Sequence, residues 1–459
     1  METGGGLAVA ALTVVDDARA EIGEWEGRGW FPPGPQLAIC LSGGLDGLSD
    51  TELMEVAAAA RRQTSWAQAR ELAAIAELSR RRTAAETEDD PDYRVLSAHE
   101  SVVEEVAVAL NVTGNAAATL VHVADRLADD LHGTREALAT GQIDLAKTRV
   151  ICDLTDGLPD GLDERVEAAV LDKAPGQTTG QLRRRIRRIV QRLAPERLEE
   201  RKREAVRRRD LQVWDTPDGT SDLTLTGLET SEAHAIFNKI TAVARGLKGD
   251  GDARPLHAIR ADLAKVLLRG VPFPEAAHAL PGAIESPHTV AIPRVTEAPH
   301  PDMSVVETLA RMVDQRLTKV ATHARAGGRT NALPLIITRA VQDMHEQLRG
   351  LRESWCQATG RTPDQHGHNG YRPPAEMRRV IEARHETCVF PTCNRRSNRC
   401  DLDHTIPWGR GTTCPCNLAP LCRRHHRTKQ SPGWTLIQPW PGLLIWITPS
   451  GNWHITLPT

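Results

Sequence analysis

Four soft donors constrain this chain more than any other feature. Cys388 and Cys393 stand with four residues between them, and Cys422 and His425 with two, all in one short stretch. Each pair has the spacing of half a metal knuckle, the first at its wide end. Three thiolates and one imidazole form a closed tetrahedral set, which suits structural zinc and leaves no open position for a substrate. In so small a module the ion contributes directly to folding. Cys400, Cys414 and Cys416 lie nearby with spacing poorer for one ion, so they rank second, as a further or alternative zinc set.

Composition supports a separate C-terminal object. Only 3% of residues are aromatic, yet five of the ten tryptophans lie between Trp408 and Trp453. Net charge is only −3, but 12 Lys/Arg against 5 Asp/Glu fall between Arg372 and Gln430, leaving the remainder acidic. A basic segment of this kind fits a binder of phosphate backbones. The apolar stretch Leu7–Val15 lacks a basic flank and runs into Asp16-Asp17, so no secretory signal is expected. No apolar run reaches membrane-spanning length. The expectation is a cytoplasmic protein with no membrane partner, in which clustered Cys and His read as metal ligands before disulfides.

Patterning along the chain predicts a mainly α N-terminal region. Residues 1–48 are loose apart from a short helix around Ala8–Trp25. Ser49-x-x-Glu52 is a capping box that opens an Ala-rich helix to about Arg82. The acidic stretch Glu86–Asp92 reads as a solvated loop. Helices resume near Ser97 and continue in segments to about Arg209. Glu104–Leu127 reads as helix, turn at Leu110–Gly114, helix; two packed bundle helices are favoured over a DNA-reading pair, because Asn115–Leu127 offers little to base edges. The basic runs Arg183–Arg188 and Arg197–Arg209, broken at Pro195, read first as solvated faces, with Glu196, Glu199, Glu200 and Glu204 as partners. Val213-Trp214 and Leu223–Thr226 flank Pro217-Asp218-Gly219 and predict a β-hairpin. Helices follow to about Arg269, then a Pro-rich linker. Ser304-x-x-Glu307 is expected to cap another helix, and Thr338–Cys356 is helical. After Gln430, alternation with turns at Pro439–Gly442 and Pro449–Asn452 predicts a small β-meander whose tryptophans fill a core. The expected divisions are a loose segment (1–48), a helical domain (49–271), a linker (272–303), a helical connector (304–370) and a C-terminal α+β module (371–459).

A zinc cage has no use for the residues interleaved with it. Asp403-His404 should close a short strand, whose adjacent side chains face opposite ways, so a bend is needed for both to serve one site. Asn417 follows, and His426 directly succeeds the zinc ligand His425. Neighbouring helix positions diverge by about 100°, so the two imidazoles can answer to different ions.

The order Cys-x4-Cys, Asp-His-x-x-Pro-Trp, Asn-Leu-x-x-Leu-Cys-x-x-His-His-x-x-Lys resembles the HNH endonuclease motif, a ββα-metal finger. The longer frame, Tyr371-Arg372-Pro373 through Cys388–Cys393, Trp434 and Trp446 to Gly451, is similar to an actinobacterial family in which a helical domain of unknown function 222 precedes the HNH module. Two departures stand out: Arg384-His385-Glu386 replaces Arg-Asp-Gly, and Cys414-Pro415-Cys416 lies in a loop usually free of cysteine. The resemblance implies a metal-dependent hydrolase of DNA. His404 would be the general base. Asp403 and His426 would hold a catalytic divalent ion such as Mg²⁺. Asn417 would orient the loop bearing His404. Arg423, Arg424, Arg427 and Lys429 would contact phosphates, with weak sequence preference. His385 reads as an incidental loop histidine.

The competing reading is a non-catalytic zinc-ribbon DNA-binding protein derived from a mobile element, which would need neither Asp403, His404 nor His426. A zinc deaminase is excluded, since it requires His-x-Glu and Pro-Cys-x-x-Cys. The helical region's task stays open among positioning DNA, forming a homodimer and binding another protein.

Overall fold

The structure is a computed structural model. It describes residues 31–86, 96–159, 161–216, 218–270, 302–359, 367–368 and 370–458. The short helix expected at Ala8–Trp25, most of the acidic loop and nearly all of the Pro-rich linker lie outside them.

The chain is mostly helical. Helices α1 (Pro35–Leu41), α2 (Asp50–Ala84), α3 (Ala98–Ala109), α4 (Gly114–Asp129), α5 (His132–Ala139), α6 (Leu145–Thr155), α7 (Leu162–Leu171), α8 (Thr179–Leu193) and α9 (Pro195–Arg207) come first. Strands β1 (Asp210–Asp215) and β2 (Ser221–Thr226) form an antiparallel hairpin. Then follow α10 (Thr230–Gly249), α11 (Leu256–Leu268), α12 (Met303–Ala326), α13 (Leu333–Gln347), α14 (Arg349–Thr359) and α15 (Ala375–Arg384). The C-terminal part holds β3 (Asp401–His404), β4 (Leu418–Leu421), α16 (Arg423–Gln430), β5 (Thr435–Trp440), β6 (Leu443–Ile447) and β7 (Trp453–Thr456). Two antiparallel strands followed directly by a helix, then a three-stranded meander, is the order expected from the sequence. Among the described residues, no single helix is long and apolar enough to cross a membrane.

Two compact units emerge. One takes the described residues of Met1–Asp156, Asp163–Arg184 and Val295–Thr459; the other takes those of Gly157–Leu162 and Arg185–Arg294. In the second, α10 and α11 share a core of Ala244, Ile259, Leu263 and Val266. Its basic helix α9 pairs Arg197 with Glu200 at 2.6 Å, and Arg208 is held by Glu204 at 2.9 Å, in keeping with a solvated face.

In the first unit the local signals are obeyed. Ser49 and Glu52 form the reciprocal capping box that starts α2. Helices α3 and α4 meet at a bend of 117°, and α4 buries Ala117, Leu120, Val121, Val123, Ala124 and Leu127. Packing thus consumes its apolar face, as expected for two bundle helices. One cap differs: α12 starts on Asp302, whose carboxylate accepts from the Ser304 amide and hydroxyl, so Ser304 is a helical residue and not the cap. An Asp two residues upstream offers a stronger acceptor to the orphan amides.

Strand β6 explains how the meander is held. All five of its residues are buried. Leu443, Ile445 and Ile447 join a core built on α12 and α13 with Val306, Leu317, Ile337 and Val341. Leu444 and Trp446 join a second core with Phe390, Leu421, Trp434 and the cysteines. Alternate side chains face opposite sides of a strand, so an unbroken apolar run is what a sheet covered on both faces requires. The tryptophans divide accordingly. Trp434, Trp440 and Trp446 are buried, and the Trp446 indole donates to the Val389 carbonyl at 3.0 Å. Trp408 stays exposed.

Where α13 meets this sheet, a titratable group is buried. His345 Nδ1 lies 3.1 Å from the Gln438 carbonyl, and Arg352 Nη1 lies 3.0 Å from Nε2. Burial, with the adjacent Arg352 cation, pushes its pKa down to about 4 from 6.5. The unfolded chain therefore binds a proton between these values that the folded chain does not. Stability rises with pH across this window and is lost as pH falls through it, by up to roughly 3 kcal/mol from this group. Chemical denaturation of wild type and His345→Gln between pH 7 and 4 should show a shallower acid loss in the variant.

Candidate metal centre and polar site

The zinc set assembles as spaced. The ligand atoms of Cys388, Cys393, Cys422 and His425 all lie within 4.8 Å of one another. His425 Nδ1 stands 3.4 Å from Cys388 Sγ and 3.2 Å from Cys422 Sγ. A tetrahedral ion with bonds near 2.3 Å to sulfur and 2.0 Å to nitrogen has N···S edges of about 3.5 Å. The donors and their separations therefore fit a metal ion such as zinc. Cys388 and Cys393 come from the loop after α15, and Cys422 immediately precedes α16. Phe390 stacks on the His425 ring with centroids 4.0 Å apart.

Behind this cage lies a carboxylate that no local sequence signal nominates. Glu104, on α3, is buried, and its Oε2 lies 3.4 Å from His425 Nε2. Its other oxygen accepts from Arg424 Nε. Burial opposes ionisation of Glu104, but His425 and Arg424 outweigh it and hold the pKa below the usual carboxylate value. A carboxylate behind a metal-binding imidazole keeps the proton on the far nitrogen and leaves the near one basic. Here that near nitrogen is Nδ1, the one facing the sulfurs. Gly114 opens α4 beside this contact; a Cβ there would stand 3.3 Å from the Arg424 guanidinium.

On the next helical position His426 turns elsewhere. Its Nε2 lies 3.2 Å from Asp403 Oδ1. Lys429, one turn on, places Nζ 2.5 Å from Asp403 Oδ2 and also donates to the His404 carbonyl. Burial would raise the Asp403 pKa, yet the His426 hydrogen bond and the Lys429 ammonium together lower it. The His426 pKa is raised, chiefly by its bond to Asp403.

His404 has partners of its own. It is the last residue of β3, buried, and its Nε2 lies 2.9 Å from Thr413 Oγ1. That hydroxyl gives its own proton to the Gly370 carbonyl at 2.7 Å, so it accepts from His404. The proton is thereby placed on Nε2, and Nδ1 is left as the basic nitrogen. Tyr371 stacks on the ring at 5.4 Å, and Trp408 lies at 5.8 Å. Burial lowers the His404 pKa, with Lys429 adding to the effect and Asp403 opposing it.

Asn417 ties the intervening loop to the strand pair. Its Nδ2 donates to the carbonyls of Ile406 and Thr412 at 3.0 Å each, and its Oδ1 accepts from the Ile406 amide at 2.7 Å and the Thr405 hydroxyl at 2.9 Å. The buried carboxamide is fully satisfied. Gly411 is required: a Cβ there would lie 2.6 Å from Asn417 Nδ2.

The basic residues of α16 are less free than their sequence suggests. Arg424 is held by Glu104 and Lys429 by Asp403, and Arg427 lies 3.8 Å from Glu100. Arg423 is exposed. His385 is buried beside Arg384, and burial, with that cation, pushes its pKa down to about 3. Cys400 stays near the Arg395 and Arg396 carbonyls, whereas Cys414 and Cys416 gather with Cys356 of α14, which spacing alone could not have nominated.

Glu104→Gln keeps shape but removes the charge behind His425. Zinc affinity, measured by chelator competition, should fall about ten- to a hundred-fold with the helical circular dichroism unchanged. Unaltered affinity would show that the cage does not depend on α3.

Comparison with known proteins finds uncharacterized relatives. The chain is 30% identical over 294 residues to the uncharacterized protein Rv2100 of Mycobacterium tuberculosis (strain ATCC 25618 / H37Rv), a match covering 56% of this chain and 50% of that protein. Another uncharacterized protein of that strain, Rv3776, is 42% identical over 89 residues, 19% of this chain and 17% of the relative. The chain thus spans about half the length, or less, of these curated relatives. No solved structure matches it. The family model described as Domain of unknown function (DUF222) matches residues 59–385, which is most of the chain and ends just before the first cysteine of the cage, and the protein belongs to that family.

Proposed function

We propose that the chain is a metal-dependent endonuclease that hydrolyses DNA phosphodiester bonds at the Asp403, His404, Asn417 and His426 site, with zinc as scaffold in the same module. One observation carries this reading: consecutive histidines on α16 serve different donor sets, His425 facing three sulfurs and His426 facing Asp403. A purely structural zinc module has no need of the second set.

The residues divide the work as follows. The His404 ring, with its proton fixed on Nε2 by Thr413, presents Nδ1 to accept a proton from attacking water. Asn417 holds the Ile406–Thr412 loop to β4, so that ring is fixed before substrate arrives. Asp403 and His426 supply an oxygen and a nitrogen 3.2 Å apart, a donor pair that suits a divalent ion completing its shell with water and phosphate oxygens. When bound, Mg²⁺ or a similar ion would neutralise charge on the phosphate and leaving oxygen. Arg423, with the exposed parts of Arg424 and Arg427, offers cationic surface beside this site.

A second reading, a zinc-ribbon DNA-binding protein without hydrolysis, draws support from Lys429. Its ammonium already neutralises Asp403, the place a catalytic cation would take.

Supercoiled plasmid incubated with purified protein, Mg²⁺ or EDTA separates the two. The nuclease reading expects Mg²⁺-dependent nicking, reduced at least about 100-fold in His404→Ala with zinc content and fold retained. Undiminished cleavage by that variant, or none by wild type while DNA is still bound, would overturn it in favour of the binding reading.

A further inference from the structure

We propose that Cys356, Cys414 and Cys416 form a second metal centre, a three-thiolate seat for a soft ion, zinc(II) or copper(I). It is separate from the cage of Cys388, Cys393, Cys422 and His425 and does not depend on nuclease activity.

The three sulfurs come from distant places. Cys356 lies on α14, and Cys414 and Cys416 flank Pro415 in the loop before β4. Cys414 Sγ stands 3.5 Å from Cys356 Sγ and 2.9 Å from Cys416 Sγ, and all three lie within 4.8 Å of one another. They are 9%, 1% and 4% exposed, so one ion could touch all three while water is kept away. Thiolates with no oxygen or imidazole donor in the group select soft ions.

The surroundings supply an independent reason. Arg384 is 1% exposed. One of its nitrogens donates to the Pro415 carbonyl at 2.7 Å, between the two cysteines, while Nε and Nη2 have no hydrogen-bond partner among the described residues. Burial works against the charge of this guanidinium, and Cys356, Cys414 and Cys416 are the neighbours that would offset it as thiolates. A second buried guanidinium, Arg352, sits one turn before Cys356 on α14. A buried cation needs a compensating anion. Three neutral thiols supply no negative charge, and a disulfide would supply none either. Metal binding does: three S–H protons leave to solvent, three metal–sulfur bonds form, and the complex carries a net charge of −1 with zinc(II) or −2 with copper(I). Its oxidation state does not change, so no oxidant or reductant is needed.

The test is metal stoichiometry on the full chain purified under reducing conditions. Elemental analysis should find two thiophilic ions per chain in wild type, and should also show whether the second is zinc or copper. The C356S/C414S/C416S variant should retain one, and C388S/C422S should lose the other. One ion in wild type that is lost only from the first variant would uphold this centre and remove the cage. One ion that persists in the first variant overturns the proposal, as does a Cys414–Cys416 disulfide in metal-free protein as isolated. If the triple variant does not fold, native alkylation of wild type decides: removal of the second ion by chelator should expose Cys356, Cys414 and Cys416 together, and unchanged labelling of those three sinks the idea.

Discussion

The contact of α3 with α16 through Glu104 sets the surroundings of the C-terminal donor groups. A buried carboxylate is costly unless charged partners meet it. Glu104 meets two, His425 and Arg424, on adjacent positions of one short helix. That helix has only eight residues, too few to be stable by itself. Its rotation is therefore set from outside, by Glu104 on one side and the sulfur donors on the other. Once His425 is aimed at the cage, helical geometry leaves His426 no choice but to project about 100° away, toward β3.

The same contact gives the helical region a role at the cage. The family match ends at residue 385, before the first cysteine, yet Glu104 lies inside it and completes the surroundings of His425. Val108 of the same helix joins the core that holds Phe390, Trp434 and Trp446, and the Trp434 indole donates to Ser101 at 3.1 Å. Helix α3 is thus a wall of the cysteine module as well as a member of the bundle.

Local rules were readable wherever a backbone preference and a side-chain partner lie within a few residues. The Ser49–Glu52 box, the hairpin around Gly219, the strand ending at His404 and the meander after Gln430 are of this kind. Where two local partners compete the signal is ambiguous, as at α12, where Asp302 and not Ser304 takes the cap. Where the partner is remote there is no local signal. Glu104, Thr413 and Cys356 carry no local signal of a site in the sequence. Each acquires its meaning from a residue far along the chain or across a loop: His425, His404, or the Cys414–Cys416 pair.

Spacing in the sequence picked out Cys388, Cys393, Cys422 and His425 as a group able to hold a metal ion, because knuckle geometry is a matter of a few residues in a row. It also determined that two adjacent imidazoles must face different ways. Which ring nitrogen each histidine presents, which basic side chains are already held by carboxylates, and that a third cysteine joins Cys414 and Cys416 were decided only by tertiary packing. The physical reason is the same in each case: a proton's position and a buried charge's partner depend on what lies within about 3 Å, and in a folded chain those neighbours come from any part of the sequence.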